Sequence, residues 1–218
     1  MQVLIAGANG KIGRHLLNYM ADSEHQARAL IRDADQAPEL LERGAFETVV
    51  GDLERDCSRA LQGCDAVIFT AGSGPHTGPD KTEAVDRDGA IGLIDAAEAA
   101  GVRRFIMVSS MRADQPETGP EHMQHYFHAK QQADNHLRAG TLDYTIVRPG
   151  KLTEGPGMGR IEVAERLDHF GEIPREDVAR ALLETLTAEH TIRHAYDLLS
   201  GDDNISRAIA GLSFTGDA

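Results

Sequence analysis

Three residues stand at spacings that could move a proton: Ser110, Tyr126 and Lys130. A tyrosine and a lysine four residues apart share one face of a helix, and a serine at the tip of a preceding strand can meet them across a sheet edge. A phenol, with a pKa of about 10, is a poor base at neutral pH unless a nearby ammonium favours its anion. Lys130 can supply that charge and can also hydrogen-bond a ribose, while Ser110 polarises a substrate oxygen. This constellation suits acid/base chemistry at a carbonyl or alcohol carbon, with a hydride carrier held alongside.

A second set of residues could hold such a carrier. In VLIAGANGKIGRHLL (Val3 to Leu17) an apolar strand runs into a turn with Gly7, Gly10 and Gly13 spaced G-x-x-G-x-x-G, then into an amphipathic helix marked by Ile12, Leu16 and Leu17. The first glycine permits the tight turn, the second admits a pyrophosphate close to backbone, and the third lets helix pack on strand. The helix start then offers unpaired N–H groups and the positive end of its dipole to phosphates. Asn9, Lys11 and Ile12, lying between the glycines, belong to the same cofactor-binding set. At the end of the second strand Arg32 suits a 2′-phosphate and Asp33 a free ribose, so NADP is expected ahead of NAD. Asp52 can accept from an adenine amine, with Leu53 covering the ring. Ala71 and Gly72 are small enough for the cofactor's middle to pass close to backbone.

Strands must place these groups, and they alternate with helices. After the first strand and helix, the pattern predicts strands at Gln26–Asp33, Phe46–Asp52, Asp65–Gly72, Arg103–Ser110 and Leu142–Gly150, with AYDLLSG as the last. Helices are predicted from Pro38 to near Gly44, Thr82 to Ala100, about Glu121 to Ala139, Ile173 to Leu186, and from a cap at Asn204. SGPHTGPD (Ser73 to Asp80) reads as an exposed loop, and KLTEGPGMGR (Lys151 to Arg160) as an irregular, mobile segment, with four glycines and prolines in ten residues. The order implies an α/β fold with a doubly wound parallel sheet, ligands lying at the carboxyl ends of its strands. The 218 residues are expected to form a single domain, residues 151–218 adding a small substrate-side lobe.

A net charge of −13 excludes the clustered basic surface a nucleic-acid partner needs. The acid excess, with only four lysines, fits a salt-adapted surface or an arginine-favouring genome equally well. No membrane span or signal peptide is seen, and Cys57 and Cys64 lack metal-ligand spacing, so a cytoplasmic protein with reduced thiols is expected. His122, His125 and His128 spread over about 120° of helix and do not converge on a metal. Arg148 could fold back on a carboxylate or reach a ligand.

The motifs GANGKIG, GDL, FTAG, GAIGLIDAAEAAGVRRFIMVSS, YFHAK, VRPG and IPREDVA resemble those of the short-chain dehydrogenase/reductase superfamily, particularly its extended and atypical, NmrA-like branches. They span roughly Met1 to Leu186. The resemblance implies a Rossmann fold, Gly7, Gly10 and Gly13 at the pyrophosphate, Arg32 at the adenosine phosphate, Tyr126 as acid/base and Lys130 as its helper. It places Ser110, rather than Ser109, in the catalytic seat and Pro149 and Gly150 beside the nicotinamide. Asp86 departs from it, standing where many members have Asn, which puts the usual proton-relay water path in doubt. The resulting expectation is an NADP-dependent oxidoreductase, or an epimerase using transient hydride transfer, acting on a small-molecule substrate. The alternative is a non-catalytic NADP sensor that works through a protein partner.

Overall fold

The computed structural model describes residues 1–74 and 77–215. Nine strands form the main sheet in the order β11-β8-β10-β6-β5-β4-β1-β2-β3. They are β1 (Gln2–Ala6), β2 (Gln26–Ile31), β3 (Ala45–Val50), β4 (Ala66–Phe69), β5 (Arg104–Val108), β6 (Asp143–Pro149), β8 (Arg160–Ala164), β10 (His194–Ser200) and β11 (Asp203–Asn204). From β3 to β10 every pairing is parallel, and β8 then runs antiparallel to both β10 and β11. A ribbon of β7 (Lys151–Thr153) and β9 (Glu172–Pro174) stands apart. Strand order reverses between β1 and β4, which opens a crevice at their carboxyl ends.

Both faces of the sheet are covered, so its central strands are continuously apolar rather than alternating. Helices α1 (Lys11–Ala21), α6 (Arg175–Leu186) and α7 (Ile205–Ala210) bury Leu16, Leu17, Val178, Leu182 and Ile209 against one face. On the other, α4 (Ala90–Ala100) and α5 (Glu121–Ala139) bury Leu93, Ile94, Ala133 and Leu137. Short α2 (Ala37–Glu42) adds Leu40, and the turn α3 (Pro79–Lys81) precedes α4. No helix among the described residues is long and apolar enough to cross a membrane.

Several sequence expectations need correction. The predicted strands overrun, because Arg32, Asp52, Ala71, Gly72, Ser109, Ser110 and Gly150 lie just past the ladders, where backbone turns towards the crevice. The helix expected from Thr82 is a π segment over Thr82–Gly89 before α4 begins. Its wider turn buries Asp86 and brings Gly89 against Leu53, where an added Cβ would sit 3.0 Å from the Leu53 Cβ. The segment from Lys151 to Arg160 is not irregular throughout: β7 occupies its start, and carboxylates at the head of α6 hold its end. Glu176 accepts from Gly157 N–H (2.7 Å), and buried Asp177 accepts from Met158 (2.9 Å) and Gly159 (2.8 Å). Beyond residue 150 the chain is continuous with the sheet through β8 and β10; the β7–β9 ribbon and its loops border the strand ends. Of the loop Ser73–Asp80, Pro75 and His76 lie outside the described residues.

Candidate active site

The cradle is built by backbone. Gly7 has φ +88°, and a Cβ there would lie 2.5 Å from the Ala71 nitrogen. A Cβ on Gly13 would collide with the Gly7 carbonyl oxygen. Gly10 donates to that same oxygen at 2.8 Å and forms the N-cap of α1 without a side-chain cap. The first N–H groups of α1 are thus left to a ligand, as the anion-binding reading requires. Around them, Ile12 is buried and Asn9 is turned to Arg14, whose guanidinium it accepts at 2.7 and 3.1 Å. Lys11 pairs with Glu154 at 2.7 Å, and Arg175 reaches the same carboxylate at 2.8 Å.

Towards the adenosine end, Arg32 is exposed just after β2 and has no ion-pair partner among the described residues. Asp33 caps the turn that follows, accepting from Asp35 N–H at 3.0 Å through one oxygen. Asp52 likewise accepts from Glu54 N–H at 3.1 Å, leaving its other oxygen for a ligand. Ala71 abuts Gly7, and a Cβ on Gly72 would lie 3.1 Å from Asp86 Oδ1.

Past the switch point the site is made of side chains. Ser110 Oγ donates to the Met111 carbonyl at 3.1 Å and lies near enough to Tyr126 to favour its phenolate. Lys130, one turn on, is only 1% exposed, and a lysine so buried needs a partner. Asp86 is that partner at 3.9 Å, its other oxygen accepting from Ser73 N–H at 2.9 Å. Lys130 Nζ also lies 5.7 Å from the centre of the Phe69 ring. One turn further, Asp134 is buried and accepts from Ser109 Oγ at 2.6 Å, while its Oδ1 has no hydrogen-bond partner. Pro149 and Gly150 complete the floor: Met111 N–H donates to the Pro149 carbonyl at 3.1 Å.

The electrostatics differ from the sequence expectation. Burial, then the carboxylates of Asp86 and Asp134, push the Tyr126 phenol above its ordinary pKa, and the Ser110 contact offsets this only in part. The phenol holds its proton. Burial also raises Asp134 to about 6, against the lowering influence of Ser109, Lys130, Arg138 and Arg148.

The structure thus brings Ser110, Tyr126 and Lys130 together and gathers the glycine cradle beside them. Asp134 went unread in the sequence, although it repeats the Tyr126–Lys130 spacing once more along α5, and its partner Ser109 was set aside there in favour of Ser110. Arg148 folds inward, pairing with Asp197 at 2.8 Å and Asp114 at 3.2 Å. His122 and His125 are exposed, and His128 pairs with Glu117 at 3.3 Å. Both cysteines are free and buried, and burial raises their thiol pKa values.

A family model described as NAD(P)H-binding matches residues 7–189, from the first cradle glycine past the end of α6. The chain belongs to this NAD(P)H-binding family. Among relatives of this NAD(P)H-binding protein, one from Bacillus subtilis, described as the uncharacterized sugar epimerase YhfK, is 44% identical over 97% of this chain and 100% of its own. A solved structure from Bacillus halodurans, a candidate NAD-dependent epimerase/dehydratase, is 45% identical with a TM-score of 0.94, covering 96% of this chain and 98% of the other. ChuY, an anaerobilin reductase of Escherichia coli O157:H7, is 26% identical with a TM-score of 0.80, covering 94% and 99%. Such neighbours accord with the Rossmann fold and with the atypical, NmrA-like branch that the motifs resemble.

Proposed function

We propose that this protein is an NADPH-dependent oxidoreductase working chiefly as a reductase of a small carbonyl compound, with Tyr126 as the proton donor. The cradle fits the cofactor: the α1 N-terminus is uncapped, and Gly7 and Gly13 leave no room for side chains that would fill the pyrophosphate seat. Arg32 is the 2′-phosphate contact, a reading supported by its exposure and its lack of a carboxylate partner among the described residues. Pro149 and Gly150 border the nicotinamide, and Lys130 holds its ribose. When bound, the reduced cofactor supplies a hydride.

The observation that carries the direction is the environment of the phenol. Burial, and after it the carboxylates of Asp86 and Asp134, raise the Tyr126 phenol further above neutral pH, so it rests protonated, the state a general acid needs. Ser110, whose hydroxyl can rotate from the Met111 carbonyl it now meets at 3.1 Å, donates to the substrate oxygen. As the carbonyl carbon is reduced, Tyr126 passes its proton to that oxygen, the product leaves as an alcohol, and solvent restores the phenol. Asp86 in place of a neutral amide adds negative charge beside the phenol, which disfavours the phenolate, while it anchors Lys130. An epimerase, as the Bacillus subtilis relative is described, would use the same groups in both directions.

The test is NADPH consumption over quinones, flavins, aldehydes and nucleotide sugars, with binding followed by cofactor emission, which no tryptophan obscures. Turnover on one class is the expected result. Tight NADPH binding without turnover on any class would favour the sensor.

A further inference from the structure

We propose that Arg112 selects substrates carrying a carboxylate at the end away from the carbonyl being reduced; this rests on the reading of Ser110 and Tyr126 as a carbonyl-reducing pair. Arg112 has φ +72°, a left-handed conformation that L side chains rarely adopt. A residue kept there by its surroundings points to a role at a site. The surroundings are explicit. Ala113 N–H closes a turn onto the Ser110 carbonyl at 3.1 Å, which puts Arg112 at the turn's third position. Met111 N–H pins that turn to Pro149. From the opposite side, Lys151 N–H donates to the Gly171 carbonyl at 2.9 Å, which brings Gly171, the neighbour of Phe170, beside Gly150.

The Arg112 guanidinium bridges the two walls. It stacks 4.6 Å from the centre of the Phe170 ring and donates to the Thr118 carbonyl at 3.3 Å. Phe170 remains 47% exposed, leaving an aromatic surface beside the guanidinium. The acids near Arg112 in sequence are committed elsewhere: Asp114 to Arg148 and Arg166, and Glu117 to His128. Arg112 itself has no carboxylate partner among the described residues. A guanidinium covered on its face presents N–H groups at its edge, the geometry that takes a carboxylate in a bidentate grip. Deeper in, Asp86 and Asp134 repel an anion from the phenol. A substrate carboxylate is therefore held at the rim, and the carbonyl end is directed towards Ser110 and Tyr126.

The experiment uses full-length protein saturated with NADP⁺, so that a ketone binds without being reduced. Ligand-observed NMR then compares 4-acetylbenzoate with its methyl ester. The wild type should prefer the acid by about tenfold or more, a charge-assisted contact. Arg112→Gln should abolish that preference, and so should Arg112→Gly, which relieves the left-handed strain and guards against misfolding. Arg166→Gln should retain it. Equal binding of acid and ester, no detectable binding of the acid at millimolar concentration, or a preference surviving both Arg112 variants would overturn the assignment. Preference for the acid supports it whether or not NADPH is consumed, because turnover tests the reductase reading separately.

Discussion

The cradle at Gly7, Gly10 and Gly13 and the pocket around Tyr126 meet at Ala71 and Gly72, yet they are built from different materials. On the cradle side, recognition is by backbone: a positive φ, a close approach to Ala71 and an uncapped helix start, with Asn9 and Lys11 engaged by Arg14 and Glu154. On the other side, recognition is by buried charge, with Lys130, Asp86 and Asp134 almost wholly out of water. Backbone groups are in place before a ligand arrives and cost nothing in ionisation. Buried carboxylates penalise the fold unless their proton or their partner compensates. The fold accepts that penalty where proton chemistry is to be done.

The largest effect that could break this comparison is on the charged side. Tyr126→Phe should lose about 10²–10⁴ in turnover while NADPH affinity changes little, because the phenol gives its proton only in the reaction. Pre-steady-state kinetics alongside a binding titration separate the two. A parallel loss of affinity would make the pocket part of the cofactor seat and dissolve the distinction.

Next in size is the contribution of Asp134 to stability. Its folded pKa of about 6 lies above the ordinary 3.8, so the folded state holds the proton more tightly than the unfolded chain. Stability from this group is complete below about pH 4 and is lost as pH rises through about 6. The loss is about 3 kcal/mol in order of magnitude. Asp134→Asn keeps an acceptor for Ser109 and should melt higher than wild type at neutral pH, with the difference vanishing near pH 4. An unchanged or lower melting temperature at pH 7 would show that the carboxylate is stabilised in ionised form.

The smallest effect sharpens the comparison on the cradle side, at the exposed guanidinium of Arg32. Arg32→Ala should lose about 1.5–3 kcal/mol of NADPH affinity and leave NADH affinity unchanged, bringing the two cofactors level. Equal affinities in the wild type would assign that end of the site to Asp33.

This division also explains what could be read from residues alone. The cradle was legible because its geometry demands glycine at fixed spacing, and the parallel sheet because its central strands are apolar throughout. Tyr126 and Lys130 were legible through helical spacing, and Ser110 through its place at the end of a strand and the resemblance of VSS to the family's motif. Asp134 was not, since its importance comes from Ser109 on the strand side and from an oxygen left without a partner, both consequences of packing. The Lys11–Glu154 pair joins residues 143 positions apart, and Glu154 lies in a segment whose glycines and prolines read as irregular and mobile until Asp177 is seen holding the backbone at its end. The π segment escaped for a similar reason: helical periodicity runs through it, and only the approach of Gly89 to Leu53 reveals the wider turn.

The central claim is that hydride leaves the cofactor for a carbonyl carbon while Tyr126 protonates the oxygen. It is tested most directly by following deuterium from C4-deuterated NADPH into product by mass spectrometry, in wild type and in Tyr126→Phe. The account predicts one deuterium on the carbon of the new alcohol, formed 10²–10⁴ times more slowly by the variant. Product without deuterium, or equal rates from the two proteins, would contradict it.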